Sequence, residues 1–344
     1  MPNARIKDVA KHAGVSEATI TRVINNMGYV AEETRKKVLK SIDALEYVPN
    51  RMARALKNNR TGIIGNVLPL SLDNLFFSYI AASLKEAALH YDYQILPMYN
   101  ERNKELEERL LQEAVSRMVE GIIFTATVQS SPRAIKEVLN KNIPVIMIER
   151  PLDMSGVDKV LLDNFFGSSM AAEKFIAMGH KNLSFIGREL RSDFVEYDRF
   201  NGFKQGLERN SLPLKDKMVV YTPEYTSEYG YEAMKKIITQ NKKQGPGACF
   251  IASDILACGA LQYLYDAKLR VPEDISIIGY DNTLSALCSP QITSVAFPYE
   301  EIGRTAMSLF WERREQNRCF DKMVQLSPFI IDRGSIFDLK TKLK

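Results

Sequence analysis

From Thr61 to Tyr280 the chain alternates short β-rich runs with amphipathic helical stretches, and this alternation limits the fold more than any other feature. Runs such as Gly121–Thr125 and Val145–Ile148 are apolar at consecutive positions, as strands are when helices cover both faces of a parallel sheet. The others are Gly62–Leu68, Tyr93–Met98, Val160–Asp163, Leu183–Gly187, Met218–Tyr221, Ala248–Ala252 and Ile275–Tyr280. Between them lie helical stretches at Phe77–His90, Lys104–Val119, Phe165–Met178, Glu196–Arg209, Ser227–Thr239 and Ile255–Ala267. That is more strands than one parallel sheet commonly holds, so the pattern predicts two doubly wound lobes.

The first 60 residues have a different period. Ile6, Val9, Ala10 and Ala13 fall on one helical face, Gly14 interrupts, and Ile20, Val23 and Ile24 begin a second face. A third run, Glu33 to Leu45, places Val38, Ile42 and Leu45 together and is closed by Tyr47-Val48-Pro49. Three short helices around one small core are predicted. The charge follows the same boundary: residues 1–60 carry twelve basic side chains against six acidic, and the rest of the chain carries 34 against 36. A basic module on a near-neutral body suits a polyanion partner or a solvated face.

The turn between the first two helices is the informative part. Ala10 and Ala13 allow close helix approach, and Gly14 accommodates the positive φ of a tight turn. Ser16 is placed to cap the second helix and to leave its N-terminus available to a phosphate. Burying Val15, Ile20 and Val23 turns Glu17, Ala18, Thr21 and Arg22 outward. In a major groove Arg22 suits guanine O6 and N7, Ala18 a thymine methyl, and Glu17 the amino group of cytosine.

The string Asp8 to Asn25, D-V-A-K-H-A-G-V-S-E-A-T-I-T-R-V-I-N, resembles the DNA-binding head of the lactose repressor family of bacterial transcription regulators. Tyr47-Val-Pro-Asn-Arg-Met-Ala-Arg-Ala-Leu56 is similar to that family's linker. The resemblance implies a helix-turn-helix head over 1–46, a hinge-helix linker over 47–60, and a body over 61–344. It implies DNA contacts by Lys7, Ser16, Glu17, Ala18, Thr19, Thr21, Arg22 and Asn25, and by Tyr47, Asn50, Ala53 and Leu56 of the linker. Ala53 would allow close approach, and Leu56 would wedge into a minor-groove base step.

Further matches, among them Val271-Pro-Glu-Asp-Ile-Ser-Ile-Ile-Gly-Tyr-Asp281, extend the resemblance through the body. It then looks like type I periplasmic sugar-binding proteins: two Rossmann-like lobes joined by three crossovers, the first about 61–163 with 296–325, the second about 164–293 with 326–340. Open parallel sheets place ligands beyond their strands' carboxyl ends, and Asp163, Asp254 and Asp281 follow strands, where a carboxylate serves either a sugar hydroxyl or a helix cap. The resemblance adds Arg199 as a donor to ligand oxygens, Tyr225 as a ring stacked on the ligand, and Phe76 and Phe77 as lining. Leu75 and Ser253 depart from the family pattern, which usually has Pro and Asn there. Arg150, with arginines between Arg188 and Arg199, suits an acidic or phosphorylated sugar, although Glu149, Glu189, Asp193, Glu196 and Asp198 nearly cancel them.

No G-x-G-x-x-G, Walker or G-x-S-x-G motif is present, and the three histidines have no metal-ligand spacing, so neither an enzyme nor a cofactor is expected. No run of 18 apolar residues exists, the N-terminus lacks a signal-like stretch, and the four cysteines have no C-x-x-C spacing, which together predict a cytoplasmic protein off the membrane. The expected partners are double-stranded operator DNA, a second copy of the chain and a small sugar-like effector. The segment after Ser335 is too short for tetramerising heptads, so a homodimer is expected. A catabolite-control regulator with a phosphoprotein corepressor, or a cytosolic sugar-binding protein without DNA activity, would share parts of this pattern.

Overall fold

The computed structural model describes residues 4–24, 27–47, 60–69, 75–127, 130–150, 152–189, 194–241 and 247–340. The chain divides between Thr61 and Gly62 into two compact units.

The first unit contains α1 (Ile6–Ala13), α2 (Glu17–Ile24) and α3 (Glu32–Ala44). Val9, Ala10, Ile20, Val23 and Val38 are its buried core, with Ile42, Leu45 and Tyr47 packed against it. Gly14 ends α1 at φ 67°, the left-handed region where a Cβ is costly. The Asp8 carboxylate accepts from the Arg5 backbone N–H at 2.8 Å and fixes the start of α1. The His12 ring lies 3.0 Å from the Ser41 hydroxyl, tying α1 to α3.

The second unit contains two six-stranded sheets. Its elements run β1 (Ile63–Leu68), α4 (Leu75–Leu89), β2 (Gln94–Tyr99), α5 (Lys104–Ser116), β3 (Gly121–Phe124), α6 (Pro132–Leu139), β4 (Val145–Ile148) and β5 (Asp158–Leu162). Then come α7 (Asn164–Ala177), β6 (Leu183–Arg188), α8 (Phe194–Glu208), β7 (Val219–Thr222), α9 (Ser227–Gln240), β8 (Ala248–Ile251), α10 (Asp254–Asp266), β9 (Ser276–Tyr280), β10 (Thr293–Ala296), α11 (Tyr299–Glu315), β11 (Met323–Leu326) and β12 (Phe329–Ile331). The first sheet has the order β11-β5-β4-β3-β1-β2 and is parallel throughout. The second has the order β12-β10-β9-β8-β6-β7, with only β12 antiparallel. The chain passes between sheets three times, through α7, through α11 and between β11 and β12.

All nine strands expected from sequence are present; β10 follows β9 within the second sheet, and β11 and β12 are added by the last two crossovers. β3, β4 and β8 are buried at every residue, which is why they read as unbroken apolar runs rather than alternating ones. In the second lobe α9 and α10 cross with their backbones in contact: a Cβ on Gly230 or Gly259 would run into the carbonyl of Leu256 or Ser227.

The return into the first sheet is fastened at Asp158, which is fully buried. Arg313 donates from Nε and Nη2 to its two carboxylate oxygens at 2.8 and 2.9 Å, Arg318 donates from Nη2 at 2.6 Å, and the Lys322 backbone N–H donates at 2.7 Å. Burial alone would raise the Asp158 carboxyl, yet the hydrogen bonds from Arg313 and Arg318 hold it below its ordinary value. Among the described residues no helix is long and apolar enough to cross a membrane.

Candidate functional site

Two sites follow from the two units. On the first, the Ser16 hydroxyl accepts from the Thr19 backbone N–H at 3.2 Å, the cap that its position in the sequence implies. Lys7, Glu17, Ala18, Thr21 and Arg22 are exposed, and Thr19 is half-buried. The Thr21 hydroxyl donates to the Glu17 carbonyl at 2.9 Å, so its methyl and oxygen are held on the outer face of α2. Tyr47 is half-buried against the core of the three helices, which gives it a packing role in addition to the linker contact expected of it. Asn25, Asn50, Ala53 and Leu56 lie outside the described residues.

On the second unit a cavity of about 490 Å³ opens between the carboxyl ends of the two sheets. Its walls come from segments directly after strands. Phe76 and Phe77 begin α4 after β1, Arg102 follows β2, and Glu149 and Arg150 follow β4. From the second lobe, Arg199 reaches in from α8, Glu224 and Tyr225 follow β7, Ser253 follows β8, and Asp281 follows β9. Arg102, Glu149 and Asp281 hold φ angles of 57°, 67° and 89°. Left-handed backbone costs a side-chain-bearing residue about 1–2 kcal/mol, and such strain gathers where function fixes the backbone.

Six residues expected at an effector site, Phe76, Phe77, Arg150, Arg199, Tyr225 and Asp281, line this one cavity. Asp163 and Asp254 do not, and both expectations are corrected. Asp163 caps α7, its carboxylate accepting from the Phe166 backbone N–H at 2.9 Å. Asp254 is fully buried behind the wall: one oxygen accepts from the backbone N–H groups of Thr283, Leu284 and Ser285 at 2.7, 3.1 and 3.1 Å, and the other accepts from the Ser294 hydroxyl at 2.8 Å. Its acceptor sites serve the loop after β9, two of whose residues, Thr283 and Leu284, face the cavity. Arg102, Glu224 and Ser253 were absent from the sequence-based site. The first two follow edge or near-edge strands and carry no pattern that separates them from ordinary surface charge.

The electrostatics are closely balanced. Arg199 is buried and donates to the Asn164 side chain at 2.9 Å, the Ala252 carbonyl at 2.7 Å and the Asp281 carboxylate at 2.8 Å, with its guanidinium 4.0 Å from the Tyr280 ring centre. Burial opposes its charge, but Asp281 and the surrounding tyrosines more than restore it, so the cation persists. Three of its five N–H donors are used, which leaves two for a ligand. Arg102 of the first lobe donates to Glu224 of the second at 2.8 Å. Arg150 lies 3.8 Å from Glu149 and 4.0 Å from Glu196 across the cleft. The Tyr225 hydroxyl is shielded from solvent and has no hydrogen-bond partner among the described residues, while Arg188 sits 5.9 Å from its ring centre. Burial, then the nearby Glu196, pushes its phenol well above the ordinary range. It remains a neutral donor within the cavity wall.

Comparison with known proteins fits both units. Residues 5–50 match the bacterial regulatory proteins of the lacI family, and residues 172–336 match the periplasmic binding protein-like domain. Catabolite control protein A of Priestia megaterium is 33% identical over 325 residues, which are 94% of this chain and 96% of that one. The chain belongs to the LacI family. Another LacI-family relative, the HTH-type transcriptional regulator DegA of Bacillus subtilis (strain 168), is 33% identical over 98% of this chain and 99% of its own. Among solved structures, the transcriptional regulator CelR in complex with cellobiose matches with a TM-score of 0.72 at 26% identity, covering 96% of this chain and 99% of that one. The lac repressor dimer bound to operator and the anti-inducer ONPF matches with a TM-score of 0.81 at 24% identity, covering 97% and 99%, and supports the LacI fold. This LacI-family chain is thus a DNA-binding transcription regulator with a ligand-binding body.

Proposed function

We propose that this regulator binds a near-palindromic operator as a homodimer in the cytoplasm and that a neutral sugar or polyol, held in the cavity between the lobes, sets its affinity for that operator. The observation that carries the ligand class is the charge balance of the cavity. Arg102, Arg150 and Arg199 line it, and each already faces a carboxylate within 4.0 Å. Glu149, Glu224, Glu228 and Asp281 line it as well, so the wall holds more carboxylates than cations. A sugar phosphate would have to displace one of these partners, and desolvating that carboxylate without its arginine is costly. A neutral polyol needs only donors and acceptors, and the free donors of Arg199 with the Tyr225 hydroxyl supply them.

The homodimer rests on symmetry. A single head offers few base contacts, and two heads on a two-fold operator double them. DNA recognition would be carried by Arg22, Ala18 and Glu17 on the exposed face of α2, with Lys7 and the Ser16 cap at the phosphates. No catalytic step is assigned to the cavity: each of its arginines is paired with a carboxylate, and recognition alone accounts for its donors.

Calorimetric titration of the full chain with neutral sugars, sugar acids and sugar phosphates tests the ligand class. A neutral compound should bind and its phosphate ester should not. Tight binding of the phosphate alone would overturn the charge argument.

A further inference from the structure

Cys258 and Cys288 come from distant parts of the sequence, and their sulfurs lie 3.1 Å apart. Cys258 is on α10, one turn beyond Asp254, and Cys288 is in the loop that follows β9. Both residues are half-buried, and Leu287 and Ser289 beside Cys288 are exposed. The other two thiols differ in kind. Cys249 is sealed inside β8, where burial pushes it up to about 12, and Cys319 is exposed with no sulfur partner.

We infer that Cys258 and Cys288 form a reversible dithiol–disulfide site, oxidised by hydrogen peroxide, that fastens the wall of the effector cavity to α10. Disulfide bonding needs the sulfurs at about 2.05 Å, which requires an approach of about 1 Å from their present separation, within the reach of side-chain rotation. The hydrogen bond from the Cys258 thiol lowers the Cys288 thiol below its ordinary value and favours its thiolate as the first nucleophile. That thiolate attacks one peroxide oxygen, the O–O bond breaks, and one water leaves with a proton from solvent. The Cys258 sulfur then attacks the resulting sulfenic acid, the S–O bond breaks, and a second water leaves. Two thiols lose two electrons and the peroxide is reduced to two waters. A small dithiol reverses the step by exchange.

The position of the pair gives the bond a consequence. Asp254 already holds the loop after β9 at Thr283, Leu284 and Ser285 through three backbone N–H groups. A bond from Cys288 to Cys258 would tie the far end of the same loop to the same helix. Residues 283–288 would then be anchored at both ends, and Thr283 and Leu284 line the cavity.

The test treats the full chain with hydrogen peroxide, alkylates the remaining thiols, and reads intact and peptide masses. The expected result is a loss of two hydrogens, a cross-linked peptide pair containing Cys258 and Cys288, two thiols still open to alkylation after unfolding, and full reversal by dithiothreitol. Amide exchange over 283–288 should slow at least several-fold in the oxidised form. Cys258→Ser or Cys288→Ser should abolish the mass change, and Cys319→Ser should not. Four alkylatable thiols after peroxide, a sulfinic acid at one cysteine, or a cross-link only between chains would each overturn the site. Unchanged exchange over 283–288 in a cross-linked protein would overturn its link to the cavity wall.

Discussion

Arg102 and Glu224 meet at 2.8 Å across the mouth of the cavity, one from each lobe. Their side chains keep 28% and 44% of their exposure, so the pair links the two lobes as a latch rather than as a buried strut. An ion pair this open contributes about 0.2–1 kcal/mol, enough to shift the balance between open and closed lobes without holding either. Arg102→Ala should leave thermal stability within about 1 kcal/mol, enlarge the radius of gyration of the ligand-free protein in X-ray scattering, and weaken effector binding less than tenfold. An unchanged radius of gyration would remove the latch.

The Tyr225 hydroxyl separates ligand binding from stability. Removing a buried group that has no partner within the protein costs the fold nothing, because its desolvation penalty disappears with it. Tyr225→Phe should therefore match or exceed wild type in denaturant midpoint. If the hydroxyl donates to the ligand, affinity should fall by about 0.5–1.5 kcal/mol, readable by calorimetry. Equal affinity in both proteins would leave the ring as packing only.

Asp158 sets an acid limit on the body. Its carboxyl is held below the ordinary value in the folded protein, so the unfolded chain binds its proton more readily. The stability it supplies is complete above the unfolded value of about 4 and is lost as pH falls through the lower folded value. Urea midpoints measured downward from neutral pH should show this loss, and Asp158→Asn should flatten it. At neutral pH, Asp158→Ala should cost less than the roughly 3–5 kcal/mol of an uncompensated buried charge, since Arg313 keeps Asp321 at 2.6 Å and Arg318 keeps Glu312 at 2.8 Å. A pH profile identical to wild type in Asp158→Asn would assign the acid sensitivity elsewhere.

On α2, Arg22 is exposed on the face that would meet bases, whereas Lys11 is exposed on α1. Arg22→Ala should lose about 1–3 kcal/mol on the operator and relax preference at one base pair. Lys11→Ala should weaken binding to operator and random duplex alike and flatten the salt dependence. Equal losses on both duplexes for Arg22→Ala would restrict Arg22 to phosphate.

Much of this architecture was legible because parallel strands buried on both faces must be apolar, as in Val145–Ile148 and Ala248–Ile251. Asp281 was legible for a related reason, since ligands sit beyond strand ends, whereas Tyr225 was legible only through the resemblance to the family. The same rule misassigned Asp163 and Asp254, since a carboxylate after a strand serves equally well as a helix cap or a loop anchor, and only the Phe166 N–H in the first case and the loop from Thr283 to Ser285 in the second reveal which. Arg102 and Glu224 were illegible because their meaning depends on a partner 122 residues away across the cleft. β11 and β12 were missed because each is short and only partly buried, which weakens the periodic signal.

The central claim is that occupancy of the cavity is coupled to affinity of the head for DNA. A duplex enriched by the protein from a random-sequence pool, titrated by fluorescence anisotropy with and without a saturating neutral sugar found by calorimetry, tests that coupling most directly. A coupling of about 1–3 kcal/mol would change operator affinity by about 5- to 150-fold, and Tyr225→Phe would need more sugar to reach the same shift. A sugar that saturates the cavity and leaves operator affinity unchanged would contradict the account.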